Sequence, residues 1–390
     1  MSTYRAAVLG HTGRGNYGHG LDIAFVGIPD IEVVAVADLD PAGRAQAQAR
    51  TAAPRAYADY RTLLAEERPN LVAVAPRFVG QRLAMVEAAA AVGAHLYVEK
   101  PLAATLAEAD AMLAACARAG VKLAVAHQGR LHPVTLHALD LVRQGAIGRL
   151  RLIRGYGKMD ARGGGQDLMI LGTHVLDQMR LFGGDAAWVS AELLDGARLT
   201  TQADVRPGDE EIAPIAGNGL RATFGFVGPN GAGGVVGLFE SFAHLGRGEE
   251  LFGLDLVGEA GQLSLRGGLT KRLLRYPRPY VIPGMEGDRW EPVATPGVAP
   301  GDVPDAWLPN TGLSDAGQGS RIDERALFQR ANQRLVRDLL DAIAHDREPA
   351  SSGERARAAL ELIQAITAAH VQGGRIALPL AARTHPWARA

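Results

Sequence analysis

The chain has 390 residues, 47% hydrophobic and 21% charged, an ordinary globular composition long enough for two domains that each bury a core. With 41 Lys and Arg against 42 Asp and Glu the net charge is -1, which argues against electrostatic capture of nucleic acid or an anionic membrane surface. Cys116 is the single cysteine, so no intrachain disulfide and no cysteine metal cluster can form; without a signal-like leader or a membrane-length apolar run, the expected location is the cytoplasm.

YRAAVLG (4–10) is a short apolar run ending at glycine, the pattern of a strand in a buried parallel sheet. Residues 18–28 place Leu21, Ala24, Phe25 and Ile28 at helical spacing and predict a helix. IEVVAVAD (31–38) and LVAVAP (71–76) read as strands, with DYRTLLAEE (59–67) helical between them and GQRLAMVEAAAAVG (80–93) helical after. HLYVEKP begins another strand at residue 95; Thr105 with Glu108 is a capping box opening a helix to about Ala119, and KLAVAHQ (122–128) closes the sheet. Alternating strands and helices over this length predict a doubly wound α/β domain, residues 1–127.

Beyond it the pattern changes. Pro133 to Gly145 is a helix, 149–156 a strand and 166–182 a helix. Glycine-separated β runs fill 186–295, and two long helices follow at 323–346 and 353–371. Residues 128–390 are therefore expected to form an α+β domain on a mostly antiparallel sheet, with the Pro/Gly-rich stretch 296–320 as an ordered surface loop.

The first strand runs into GHTGRGNYGHG, where Gly13, Gly15 and Gly18 satisfy G-x-G-x-x-G and Gly10 ends the strand. Such glycines let a backbone turn tightly and approach a pyrophosphate. The loop is a residue longer than the compact fingerprint. Asp38, ending the second strand, can accept both ribose hydroxyls and repel a 2′-phosphate; Leu39 follows, so NAD is expected over NADP, with Arg14 the nearby cation. Ligands of such sheets lie over the carboxyl ends of the strands, which puts Pro76, Arg77, Glu99 and Lys100 at the binding edge. Strand alternation sends Glu99 and Lys100 to opposite faces, and Pro101 restrains the turn behind them.

The first strand with its glycine turn, the aspartate after the second strand, V-E-K-P-L-A, the segment GGGQDLMILGTHVLDQM (163–179) and the closing ALELIQAITAAHVQGGRIALPL together resemble the glucose–fructose oxidoreductase / inositol dehydrogenase / MocA (Gfo/Idh/MocA) family over nearly the whole chain. The resemblance implies NAD(P)-dependent oxidation or reduction of a sugar, cyclitol or related polyol, and a homodimer or homotetramer formed through the C-terminal sheet. Moving a hydride from a carbinol needs a base and an alkoxide-stabilising cation. His174 is the expected base and Lys100 the cation, with Asp167, His174 and Gln178 on one helical stripe and Asp177 placed to orient the imidazole.

Two positions depart from the family. Ile170 stands where D-x-G-x-H carries its aspartate, and Asp167, one turn earlier, is the candidate replacement. In APRFVG (75–80), Arg77 and Gly80 replace the amide and histidine of T-P-N-x-x-H, and Arg77 can bind substrate oxygens or an acid group. Lys158 and Arg162 are further candidate substrate contacts, and Arg130 is expected at the domain boundary. The lost aspartate keeps open a redox-neutral alternative, a glycosidase- or epimerase-type enzyme with bound NAD and transient sugar oxidation. His127, His132 and His137 lie five apart, a poor spacing for a helical metal site, and H-E-x-x-H, G-x-S-x-G and Walker A motifs are absent.

Overall fold

A computed structural model describes residues 4–228, 234–246, 250–285, 289–299, 301–303 and 323–388. The first sheet is six parallel strands, β1 (Tyr4–Leu9), β2 (Ile31–Ala37), β3 (Arg55–Tyr57), β4 (Leu71–Val74), β5 (His95–Val98) and β6 (Leu123–Val125), in the order β3-β2-β1-β4-β5-β6. The helices are α1 (Pro41–Thr51), α2 (Tyr60–Glu67), α3 (Arg82–Ala91), α4 (Leu106–Ala119), α5 (Pro133–Arg143), α6 (Thr173–Gly183), α7 (Glu324–Ala344) and α8 (Gly353–Gln372). The second sheet holds β7 (Leu150–Tyr156), β8 (Ala186–Asp195), β9 (Arg198–Leu199), β10 (Gly219–Phe226), β11 (Val235–Phe242), β12 (Gly253–Gly258), β13 (Gln262–Arg266), β14 (Arg272–Tyr276), β15 (Glu291–Pro292) and β16 (Ile376–Ala377).

Alternation along β1 sets the layering. Ala7 and Leu9 join the core shared with α2, α3 and α4, while Ala6 and Val8 face the other way. That second face is covered by Leu335, Val336 and Leu339 of α7. A parallel sheet must be buried on both sides, so a helix from the far end of the chain completes the N-terminal layer, and residue 127 marks the end of the sheet's strands rather than of its packing.

The expected helix over 18–28 is instead a single 3-10 turn, Leu21–Ile23, flanked by Gly18, Gly20 and Gly27, all at positive φ. Conversely, α1 and β3 were not anticipated; α1 opens where the Asp40 side chain accepts from the Gly43 N–H and Pro41 sits at the first helical position. The Thr105–Glu108 capping box closes in both directions, as its spacing predicts.

The second sheet runs β15-β14-β13-β12-β7-β11-β10-β8-β16, with β9 paired to β8 and only β7–β11 parallel. α6 and α8 cover one of its faces. α6 lies close because β7 offers Gly155 at the crossing, where an added Cβ would meet Met179 Sδ at 2.7 Å and Val175 at 2.8 Å. The expected helix over 166–182 is interrupted: one turn, Gly165–Asp167, leads into a π-turn, Leu168–Gly172, and then α6. Of the Pro/Gly-rich stretch 296–320, residues 300 and 304–320 lie outside the described residues. Among the described residues no helix is long and apolar enough to cross a membrane.

A buried ion pair joins the segment after β6 to α6: Arg130 Nη1 donates to Asp177 Oδ1 at 2.6 Å. Removing the carboxylate leaves a guanidinium in a dry place. Asp177→Ala is therefore expected to lower folding stability by about 3–5 kcal/mol in denaturant titration, with Asp177→Asn recovering part of the loss through the retained hydrogen bond.

Candidate active site

Two cavities flank the glycine-rich turn. One, of about 350 Å³, lies over the ends of β1 and β2, bounded by Gly10, Asp38, Leu39 and Tyr60. The other, of about 500 Å³, lies between the two sheets and is lined by Arg77, Lys100, Lys158, Arg162, His174 and Gln178. Every substrate contact expected from the sequence except Asp167 thus borders one space.

The turn joining the two cavities is closed by its own backbone, His11 and Asn16 exchanging hydrogen bonds at 2.9 and 3.1 Å. Gly13, Gly15 and Gly18 all have positive φ. A side chain at Gly15 would strike the Arg77 backbone nitrogen at 2.4 Å, whereas nothing lies within 4 Å of a Cβ built on Gly13. The turn is thus packed against the loop after β4 on one side and open on the other, as a dinucleotide track requires. Arg14 beside it pairs with Glu211, and Arg77 Nε lies 3.4 Å from Glu210 Oε1, so a short acidic segment of the C-terminal half reaches over the track.

Asp38 borders the smaller cavity but is buried, and its carboxylate accepts from the Thr12 N–H and hydroxyl and from the Asp40 N–H. It moors the glycine turn to β2, a task its position in the sequence did not announce.

Glu99 and Lys100 diverge as strand alternation requires, and the Lys100–Pro101 peptide is cis. Glu99 turns under the glycine turn to His19. Lys100 is buried, and its Nζ donates to the Ile170 carbonyl at 3.0 Å. The position that lacks the family's aspartate thus contributes a backbone oxygen, from within the π-turn. Burial lowers the Lys100 pKa, with Glu99 opposing the shift.

His174 opens α6 and is held well below the usual imidazole range by burial, then by Lys100 and His127. Its imidazole is thus held in the neutral form at ordinary pH. The buried His127 ring stands edge-on to it at 5.4 Å and bonds Thr173 Oγ1 at 2.9 Å. Gln178 donates to the His174 carbonyl at 3.1 Å. Asp177 does not orient the imidazole, contrary to expectation, because Arg130 claims its carboxylate.

Asp167 points away from the cavity into the C-terminal sheet. Its Oδ2 accepts from Ser241 Oγ at 2.5 Å and from the Met159 N–H at 3.4 Å, and burial raises its pKa. Arg162 is bound bidentately by Asp160, at 2.5 and 3.0 Å.

Sequence reasoning missed several neighbours. His19 follows Gly18 directly, and its place in the turn was the available signal. Arg82 is buried at the start of α3 and donates to the carbonyls of Pro76 and Arg77 at 2.6 and 3.0 Å. Lys271, buried just ahead of β14, lines the larger cavity and donates to the Gly267 carbonyl at 3.1 Å; only the fold brings it there.

Fold and cavity together show a parallel α/β sheet joined to a mostly antiparallel one, with an imidazole and an ammonium bordering one cavity. The profile described as "Oxidoreductase family, NAD-binding Rossmann fold" (GFO_IDH_MocA) matches residues 5–127. D-apiose dehydrogenase of Paraburkholderia graminis is 32% identical over 182 residues, 43% of this chain and 47% of that protein. D-xylose 1-dehydrogenase (NADP(+)) 2 of Haloferax volcanii is 31% identical over 198 residues, 48% of this chain and 61% of that protein. The matches thus span about half the length of these curated relatives. The structure of levoglucosan dehydrogenase in complex with NADH and levoglucosan shares the fold at a TM-score of 0.71 and 20% identity, covering 97% of this chain and 100% of that one. Residues 5–127 of the chain thus resemble the NAD-binding Rossmann-fold segment of the Gfo/Idh/MocA oxidoreductases.

Burial depresses the pKa of His127, His174, His132 (to about 3) and His385 (to about 4). Below the unfolded imidazole value of about 6.5 the unfolded chain binds protons that the folded one refuses, so stability falls as pH drops. The unfolding free energy from urea titration is expected to decline from pH 7 to pH 5, by up to about 1.4 kcal/mol per pH unit for each such histidine. Histidine NMR should find His174 still neutral at pH 6; a protonated His174 there contradicts its assignment as a base.

Proposed function

We propose that the protein is an NAD-dependent oxidoreductase that moves a hydride between the nicotinamide and a secondary hydroxyl or ketone of a sugar, cyclitol or related polyol. The observation that carries this reading is that Lys100, from the end of β5, and His174, from α6, border one cavity of about 500 Å³. The neutral imidazole of His174 takes the hydroxyl proton, and the Lys100 Nζ donates to the same oxygen and stabilises its developing charge. When bound, NAD supplies the hydride acceptor.

Gly10, Gly13, Gly15 and Gly18 form the track for the dinucleotide, Arg14 meets its pyrophosphate, and Pro76, Arg77 and Glu99 shape the nicotinamide end. Asp38 repels a 2′-phosphate, which favours NAD over NADP, with Arg61 the cation bordering the same cavity. Arg77, Lys158, Arg162 and Gln178 contact the substrate's remaining oxygens, and Asp167 supports the π-turn from behind. The names of the apiose and xylose relatives favour a sugar. Self-association through the open face of the second sheet belongs to the same reading, since Val236 and Leu238 of β11 are exposed there.

Protein, NAD and a panel of sugars, inositols and glycosides, followed by reduced-nicotinamide absorbance, test the reading. Steady NADH formation with one substrate class is expected, with a higher kcat/KM for NAD than for NADP. Lys100→Ala should lower kcat by about 10²-fold or more while NAD binding persists. Product without NADH accumulation would instead support the redox-neutral alternative left open by Ile170. Near-normal turnover of Lys100→Ala would reject the role given to this lysine.

A further inference from the structure

The imidazole of His19 borders the same cavity as Lys100 and His174. Its Nδ1 lies 2.8 Å from Glu99 Oε1, and its backbone N–H donates to Oε2 at 3.3 Å. Glu99 is completely buried; burial resists its ionisation, but His19, Lys100 and Arg82 outweigh it and hold the carboxyl at about 2. At working pH Glu99 is therefore a carboxylate and can only accept. The shared proton belongs to Nδ1, which leaves the lone pair of the neutral ring on Nε2, on the side away from Glu99.

The ring is held in place and remains accessible. Phe328 of α7 packs against it at 5.2 Å, and Asn332 Nδ2 holds the His19 carbonyl at 2.9 Å. Asn332 is itself fixed, accepting from the Tyr97 hydroxyl at 2.8 Å and from Gln128 at 2.9 Å. The His19 side chain is still 27% exposed. The groups around it are Glu99 and Lys100 from the end of β5, Arg77 after β4, His174 from α6, Lys271 ahead of β14 and Glu324 at the start of α7; Phe328 and Asn332 are neutral.

The two imidazoles of the cavity differ in their partners. His174 sits among Lys100, His127, His19 and Lys271, all of which lower its proton affinity along with burial. His19 has a buried carboxylate on its Nδ1, which orients the ring. Lys100 is held by a carbonyl rather than a carboxylate, whereas the carboxylate of Glu99 lies on His19.

We propose that His19, oriented by Glu99, is a further catalytic base of this site and takes the substrate hydroxyl proton on Nε2. The inference rests on the hydride-transfer reading above. In the step the O–H and C–H bonds of the carbinol break and a C=O bond forms. The hydride's electron pair reduces the nicotinamide, and the proton stays on His19 until water at the cavity mouth removes it. His19 here replaces His174 in the proton-accepting role given to it above, and His174 then serves as hydrogen-bond partner to the same oxygen or its neighbour.

The test compares wild type, His19→Ala and His19→Gln in kinetics across pH and in NAD binding. Expected is a loss of about 10²- to 10⁴-fold in kcat for both variants, NAD affinity within a few-fold, and disappearance of the acid limb of kcat/KM. A kcat within about threefold of wild type with an unchanged acid limb would overturn the proposal and leave His174 as the sole base. Independently of turnover, nitrogen-15 NMR of wild-type histidines should find His19 in the Nδ1–H tautomer at pH 7.5, with Nε2 shifting when polyol is added to the NAD complex. An Nε2–H tautomer, or no response of Nε2, also overturns it. If wild type reduces NAD with no polyol at all, the functional reading fails, while the tautomer still decides whether Nε2 is available as a base.

Discussion

One buried guanidinium keeps the site in shape. Arg82, at the start of α3, donates to the carbonyls of Pro76 and Arg77 in the loop after β4 and to those of Pro101 and Leu102 in the loop after β5. These loops carry Arg77, Glu99 and Lys100. A cation in so dry a place costs free energy unless its donors are matched and a counter-charge is near. Four carbonyls take its terminal nitrogens and the charge of Glu99 acts on it, but its Nε has no partner among the described residues, and burial draws the arginine's pKa down to about 10. Glu99 in turn holds His19 of the glycine turn, so one electrostatic cluster links three strand ends of the parallel sheet.

The cavity is completed by elements that arrive from elsewhere. The π-turn ahead of α6 brings a carbonyl to Lys100 and sets His174 beside it. Glu210 and Glu211, both at positive φ, pair with Arg77 and Arg14 over the dinucleotide track. Strained backbone of this kind persists where surrounding contacts over-determine it, and here the Val79 N–H donates to the Glu210 carbonyl at 3.1 Å. α7 closes the second face of the parallel sheet, so the C-terminal half is part of the nucleotide domain's core.

Much of this was legible because its causes are local. The apolar runs of β1, β2, β4 and β5, the Thr105–Glu108 cap and the E-K-P turn announce themselves through spacing and side-chain chemistry. The misses have physical reasons. Helical spacing over 18–28 yielded to glycines that the turn places at positive φ. Asp177 is one helical step from His174, yet Arg130 approaches from outside the helix and takes it. Asp167 shares a stripe with His174 on a regular helix, but the π-turn between them shifts the register and sends the carboxylate to Ser241.

What the sequence by itself determined is the order of elements, the parallel sheet and the glycine turn, whereas Lys100 and His174 stood out through the resemblance to a known family. Periodicity, caps and turn residues act over a few positions, and these features need nothing more. Only the tertiary structure decided that His19 lies on Glu99, that Arg82 sits beneath two loops, that Lys271 enters the cavity and that Ile170 offers its carbonyl to Lys100. Each of these includes a contact between residues at least 19 positions apart, and for such pairs the direction of approach is set by packing, which local pattern does not encode.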